Sequence, residues 1–333
     1  MSAMTIGTLA QSLATQSAHL RLQTDLGRLS VELATGLTGD VAAKTVGDTR
    51  VLTALAHHLS DLDAFATSRS EAALHTRATG NALSSIAGRL SQLAEQVVVA
   101  SQAADPSQHA IVTEGAIAQF KGVVSDLNTR IAGRSLFSGT AQDRDPLRAA
   151  DDIIADLQTA ASGVSSAADI EAALDAYFAP GGPFDTNDYI GSTDDLAPVR
   201  VDAENTVSVG IRGDNSDLRQ TLATLAGLAL VGLMPLDPIE SQRAIAGSLD
   251  AILNSERQLT EVQAQIGSAA ERIELATVRS AGTRAAFEAA QLDITGSDPF
   301  ETAARLEERQ VQLQTLYTLT ARLSGLSLVN FLR

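Results

Sequence analysis

Cysteine and tryptophan are absent from this 333-residue chain, and phenylalanine and tyrosine together number only eleven. The first absence excludes disulfides, thiolate nucleophiles, cysteine-based zinc sites and iron–sulfur clusters. The second leaves a 44% hydrophobic composition to be made mostly of Leu, Ala, Val and Ile, which favours helix packed on helix. Lysine occurs only at Lys44 and Lys121, and the formal net charge is −16. Phosphate backbones need a cationic face, so nucleic-acid binding is not expected. Long apolar runs are missing too. The longest, Leu225 to Met234, is about half of the ~20 residues that a membrane span needs. The first basic residue is Arg21, so no charged segment precedes an apolar one as in a secretory signal peptide. A soluble chain without membrane insertion and without a cleavable address is expected.

Proline is also missing from long stretches: none precedes Pro106 and none lies between Pro238 and Pro299. Those flanks are free to be long helices. Charge follows the same partition. Residues 141–217 hold 4 basic and 16 acidic residues, so −12 of the net −16 lies there.

The flanks carry 3-4 apolar spacing. Leu52, Leu55, Leu59 and Leu62 begin one seam, which recurs at Leu83, Ile86, Leu90, Leu93 and Val97 and again at Ile117, Phe120, Val124, Leu127 and Ile131. Such spacing predicts coiled-coil-like packing. Asp105 before Pro106 reads as an N-cap with proline at the first helical position, so one helix ends near Ala103 and an antiparallel partner follows. Ile245, Leu249, Ile252, Leu259, Ile266 and Ile273 continue the pattern until Gly296-Ser-Asp-Pro299 breaks it. The two ends mirror each other. Ile6, Leu9, Leu13, Leu20, Leu22, Leu26, Leu29 and Leu33 stop at Gly36, and Leu306, Leu313, Leu316, Leu319, Leu323 and Leu326 lie between Pro299 and Phe331. Each end predicts a helix of roughly 30 residues, ~45 Å long.

The middle differs. Asp151 to Ser162 and Ala167 to Phe178 read as short amphipathic helices, with a Gly-, Pro- and Asp-rich loop from Pro180 to Pro198. Val199, Val201, Val207, Val209 and Ile211 alternate with polar residues as a half-buried strand pair turning at Asp202 to Asn205. Ser216 or Asp217 is the expected cap of a further helix running to about Gly232. The expected fold is mainly α, with long antiparallel helical hairpins, an N/C-terminal coiled coil and a small α+β insert. The expected domains are 1–38 plus 297–333 (terminal coiled coil), 39–140 plus 238–296 (helical bundle) and 141–237 (acidic insert).

Three segments resemble the flagellin superfamily and, within it, the hook-associated members: Leu26-Gly-Arg-Leu-Ser-Val-Glu-Leu-Ala-Thr-Gly36, Asn128-Thr-Arg-Ile-Ala-Gly-Arg-Ser-Leu-Phe-Ser-Gly-Thr140, and Asp298 to the end, with Tyr317-Thr-Leu-Thr-Ala-Arg-Leu-Ser-Gly-Leu-Ser-Leu-Val-Asn-Phe-Leu332 the most specific. The resemblance covers about residues 1–140 and 240–333. Leu37-Thr-Gly-Asp-Val-Ala-Ala-Lys-Thr-Val-Gly47 departs from the Asn-Ser-x-x-Asp-Asp element that members usually carry there. The resemblance implies a non-enzymatic structural subunit of the bacterial flagellum, joining a hook-associated neighbour to the flagellin filament. It further implies type III export to the cell exterior with a dedicated export chaperone on the C-terminal arm. Alternatives are a short filament-forming flagellin and a cytosolic coiled-coil adaptor.

A lone helix with a narrow apolar stripe is marginal in water. Pairing the two ends hides part of each stripe, and sister molecules would hide the rest. The candidate assembly interface is therefore Leu9, Leu13, Leu20, Leu26, Leu29, Leu33, Leu313, Leu316, Tyr317, Leu323, Leu326 and Phe331. Both arms are expected to order only on assembly. The same seams also suit an intramolecular bundle with no assembly role.

Other constellations read as ordinary structure. His57 or His58 with Asp61 has helical spacing for two metal ligands but no evident third. Asp151-Asp152, Asp194-Asp195 and Glu307-Glu308 have no base or electrophile recognisably near. Asp185-Thr-Asn-Asp-Tyr-Ile-Gly191 begins like a calcium loop but lacks the fifth-position ligand and the sixth-position glycine. Arg212-Gly213-Asp214 spells an adhesion tripeptide in a turn. Neither catalytic residues nor a cofactor or metal site is expected.

Overall fold

The computed structural model describes the backbone of residues 2–102 and 106–331, and side chains at 10, 13–101 and 107–322. The architecture is mainly α with a small sheet component, as the composition implies. In chain order the elements are α1 (Ser2–Thr35), α2 (Val41–Lys44), α3 (Arg50–Gln102), α4 (Pro106–Leu127), β1 (Arg130–Ile131), β2 (Arg134–Ser135), α5 (Ala150–Ala160) and α6 (Ala167–Tyr177). A π-helical turn at Phe184–Asp188 follows, then β3 (Val199–Arg200), β4 (Thr206–Val207), α7 (Ser216–Leu233), α8 (Pro238–Thr295) and α9 (Pro299–Phe331). The chain forms two compact units, residues 1–61 with 281–333 and residues 62–280.

In the larger unit, α3 and α4 form the expected antiparallel hairpin. Ser85 Oγ and Arg89 Nε donate to Asp126 Oδ2 at 2.9 and 2.7 Å, and Gln119 Nε2 donates to Gln92 Oε1 at 3.1 Å. All five expected α3 seam residues, from Leu83 to Val97, are fully buried, and they join Phe120 and Leu127 of α4, Leu222 and Leu225 of α7, and Ile245, Ile252 and Leu259 of α8 in one core. Burying such a side chain stabilises by about 1.5–3 kcal/mol, which is why the seam and not propensity sets this packing. The expected N-cap, Asp105, lies outside the described residues.

Three local expectations are corrected. The α4 seam does not reach Ile131, because the helix ends at Leu127. Asn128 instead braces the loop, its amide donating to Leu147 O and accepting from Leu147 N, both at 3.0 Å. Ile131 then lies in a hairpin whose turn residues, Ala132 and Gly133, have φ of 48° and 79°, the positive values that a two-residue turn of this twist requires. The N-cap of α7 is Asn215, whose side chain accepts from Asp217 N at 2.9 Å, not Ser216 or Asp217. The strand pair is shorter than its alternation suggests. Only Val199↔Val207 and Arg200↔Thr206 pair, and Val201, Val207 and Val209 lie against Ala72 of α3 and Ile273 of α8. Beneath them Arg69 is buried, donating to Val201 O at 2.7 Å and Ser280 Oγ at 2.9 Å.

In the smaller unit, α1 and α9 run antiparallel. His19 meets Tyr317, Asp25 lies 3.9 Å from Arg309, and Ser297 Oγ reaches the Glu32 carbonyl. The segment that departs from the family pattern closes this unit. Leu37 bridges Gly296, Thr38 N donates to Thr295 O at 2.7 Å, and Ser297 N donates to Gly36 O at 2.8 Å. Lys44 Nζ donates to the carbonyls of Asp293 and Gly296 at the end of α8, where a cation offsets the helix dipole.

Candidate assembly interface

The α1–α9 pair divides the candidate interface residues into two sets. On α1 the buried and half-buried positions include Ala18, Leu22, Leu26, Leu29 and Glu32, the 3-4 steps of one helix face. Leu29 is 2% exposed. Their counterparts on α9 are Thr302, Leu306, Arg309, Leu313 and Leu316. Leu26, Leu29, Leu313 and Leu316 therefore belong to the seam that holds the pair together. Leu13 and Leu20, 58% and 57% exposed, lie on the opposite side of α1, about 180° from Leu29 at 3.6 residues per turn. Leu33 and Tyr317 are also exposed, at the margin of the seam. At Leu9, Leu323, Leu326 and Phe331 the side chains lie outside the described residues.

The glutamate on the inward face is neutralised locally. Glu32 Oε1 accepts from Arg28 Nη1 at 2.9 Å and from Gly39 N at 2.7 Å. A Cβ at Gly39 would come within 2.9 Å of Arg28 Cγ, so the close turn needs glycine there. The sequence does not reveal this clip, because Glu32 on a helix reads as a solvated charge.

Among the described residues, the smaller unit buries two apolar side chains, Leu29 and Leu55, and leaves twelve large ones exposed, Phe300 and Val46 most fully. The remaining buried apolar residues all belong to the larger unit. A two-helix pair with so small a core is not stable on hydrophobic burial alone, whereas its exposed residues are the raw material of an interface.

The polar constellations are spent within the chain. Asp185 accepts from Gly181 N and from Arg219, and Asp188 accepts from Tyr177 and from Arg148. The calcium-like loop thus presents carboxylates that already have partners. Burial raises the pKa of Asp188 above the usual carboxylate range, with the Tyr177 hydroxyl and Arg148 opposing it, and burial likewise raises that of Tyr177. In the tripeptide, Arg212 grips Asp214 through Nε at 2.7 Å and Nη2 at 3.2 Å, so its two charged ends close on each other. Asp195 also pairs with Arg212, Asp151 with Lys121, and Asp152 with Arg148, while Glu308 accepts from Gln312. His58 stacks on Phe287 with centroids 5.4 Å apart, and no group of three potential metal-ligating side chains occurs among the described residues.

Comparison with known proteins agrees with this architecture. Residues 249–332 match the bacterial flagellin C-terminal helical region. No curated protein sequence matches the chain. Among solved structures, FlgL of Bacillus cereus is similar over 72% of this chain and 100% of its own, with a TM-score of 0.53 at 14% identity. A Vibrio parahaemolyticus chain described as belonging to the flagellar hook-associated proteins is similar over 73% of this chain and 95% of its own, with a TM-score of 0.51 at 15% identity.

Proposed function

We propose that this chain, which carries a flagellin C-terminal helical region, is a structural subunit of the bacterial flagellum. Its place is the junction, where it links a hook-associated neighbour to the flagellin filament by helix–helix assembly. The observation that carries this reading is the imbalance in the smaller unit, two buried apolar side chains against twelve exposed. Such a unit gains most of its burial from neighbours. The likeness in fold to a chain named as hook-associated and to FlgL of Bacillus cereus supports the junction over other places in the organelle. On this reading residues 1–38 with 297–333 form the lattice, and the acidic residues 141–217 stand at the rim, where like charges are furthest apart. The contacts are heterologous, as a closed ring or helical turn requires. The subunit acts mechanically and has no catalytic role. It leaves the cell through the flagellar type III channel with an export chaperone on its C-terminal arm, and the lack of cysteine avoids disulfide traps in transit.

Fractionation of cells with a working flagellar export apparatus, followed by imaging of the tagged protein, tests the reading. Protein at the base of the filament, with short assemblies from the purified chain, is the expected result. Long filaments from purified protein would make it a flagellin, and retention in the cytosol would make it an adaptor.

A further inference from the structure

The geometry points to residues 206–210 as an open strand edge on which an extended, acidic segment of another protein docks, adding a strand to the sheet that β3 and β4 begin. The site lies within the larger unit and stands apart from the assembly reading.

The sequence alternates as a strand beyond the two residues that pair. Val207 and Val209 are buried and Ser208 between them is exposed, the period of an extended chain with one face packed. Yet β4 ends at Val207. Val201 N donates to Asn205 O at 3.0 Å, and Val199 lies opposite Val207, which puts the bonded pairs of this antiparallel ladder at 201–205 and 199–207. Thr206, Ser208 and Gly210 fall out of phase with those pairs, so their N–H and carbonyl groups point away from β3. Among the described residues the backbone groups of Ser208 and Gly210 have no hydrogen-bond partner. Such groups need either water or another chain, and a row of them along one side is a template for strand addition.

There is room for the added strand. The edge borders a groove of about 800 Å³, with Thr206, Ser208 and Gly210 on one wall and Gln265, Ser268 and Arg272 of α8 on the other. From 206 to 210 the edge runs ~13 Å at 3.3 Å per residue, the span of a short strand.

Charge selects the occupant. Two arginines, Arg212 and Arg272, and one acidic residue, Asp195, line the groove, in a chain whose net charge is −16. Arg212 is held by Asp195 at 2.9 Å and by Asp214 at 2.7 Å. Arg272 is exposed and has no ion pair among the described residues. The groove therefore offers one unmatched cation, which suits an extended segment carrying a single Asp or Glu among uncharged residues. A second copy does not supply this through the same edge. Residues 205–213 contain no acidic residue to meet Arg272, and they fall mostly within the stretch that carries −12, so bringing two such edges together is opposed by repulsion.

Phage-displayed random dodecapeptides selected on the purified 333-residue chain test the proposal, with the recovered peptides synthesised, labelled and titrated by fluorescence polarisation. The expected peptides hold one acidic residue in an alternating pattern. Ser208→Pro removes an N–H that has no partner within the chain, so its thermal transition should be unchanged while binding weakens at least about tenfold, and Ser208→Ala should bind as wild type does. Arg272→Gln should weaken binding about two- to fivefold and remove its salt dependence. Methylating the peptide amides that face the edge should abolish binding, and methylating the alternate amides should leave it intact. That comparison uses the unaltered protein and decides the matter should Ser208→Pro lower the thermal transition. Recovery of no peptide, of basic peptides, or of peptides indifferent to which amides are methylated overturns the proposal. Self-association of the chain that Ser208→Pro abolishes also overturns it, by making a second copy the occupant.

Discussion

His19 Nε2 and the Tyr317 hydroxyl, 298 positions apart in sequence, lie 2.7 Å from each other, with their rings edge-to-face at 5.3 Å. This polar pair sits at the margin of an apolar seam. Leucines at 3-4 spacing can slide past one another by a heptad with little loss, whereas a hydrogen bond is made in one alignment only, so such a pair fixes register. Asp25 with Arg309 and the Glu32 carbonyl with Ser297 repeat the same alignment further along.

Replacing Tyr317 by Phe keeps the ring and removes that hydrogen bond. A net loss of about 1 kcal/mol, or roughly fivefold in local opening, is expected. Amide exchange at residues 15–24 of the assembled protein should accelerate by that factor, and exchange in residues 82–127 should not change. Unaltered protection around His19 would mean that the apolar seam alone holds the register.

Charge placed in the two faces should have separable consequences. Leu316→Asp puts a carboxylate in the α1–α9 seam and should abolish assembly by dissolving the pair, because a buried charge without a partner is costly. Leu20→Asp, on the exposed side of α1, should abolish assembly without loosening the pair itself. Both should leave the thermal transition of residues 62–280 in place, since those residues have a hydrophobic core of their own. Normal motility in cells carrying Leu316→Asp would count heavily against the interface assignment.

Much of this architecture is legible in the sequence wherever burial and helical period coincide. Leu83 to Val97 and Ile245 to Ile273, with Leu249 half-buried, are read correctly because a buried stripe leaves a 3-4 trace. Ile131 continues that trace in number only. The chain has already turned at Asn128, whose two bonds to Leu147 depend on a residue nineteen positions away. The cap of α7 is off by one position or two because Asn215, Ser216 and Asp217 are all competent acceptors, and backbone geometry chooses among them. The terminal leucines are visible as a set, but their division into Leu29-type and Leu20-type faces is not. A stripe announces that a helix has partners without saying which partner takes which side. Contacts such as Arg69 with Val201 and Ser280, or Tyr177 with Asp188, leave no periodic signal at all.

Arg148 reaches Asp188 at 3.1 Å, Asp156 at 2.6 Å and Asp152 at 3.9 Å. The Asp188 side chain has no exposed surface and its pKa is raised by burial. Arg148→Met should therefore destabilise residues 62–280 by about 1–3 kcal/mol at neutral pH, the range for hydrogen bonds to charged groups and for partners left unsatisfied. Since protonated Asp188 needs no cation, the penalty should shrink as pH falls into the carboxylate range. Urea titrations of both proteins at neutral and mildly acidic pH check this. A penalty independent of pH would place the role of Arg148 in packing.

Burial holds the pKa of His75 below the ordinary imidazole value of 6.5, with the nearby Arg134 guanidinium lowering it further and a backbone bond near Val209 opposing both. The unfolded chain takes up this proton near pH 6.5 and the folded chain only at lower pH. The stabilising contribution is therefore complete above 6.5 and is lost as pH falls toward the folded value. Between pH 7 and 5.5 the wild-type stability should decline, and His75→Leu should flatten that slope. An identical slope in the variant would assign the decline to other groups.

Assembly itself should respond to ionic strength in a direction set by where the charge lies. Residues 141–217 carry −12 and residues 1–35 balance two basic against two acidic residues. Added salt therefore weakens repulsion between inserts without weakening any attraction between arms. The Debye length falls from about 30 Å at 0.01 M to about 8 Å at 0.15 M, a range over which neighbouring inserts cease to sense each other's full charge. The concentration at which light scattering first reports assembly should drop as sodium chloride rises across that interval. Replacing Asp151, Asp194 and Glu204 by Asn, Asn and Gln should lower the threshold at low salt and make little difference at high salt. If salt instead raises the threshold, oppositely charged groups hold the copies together, and repulsion between the inserts does not set it.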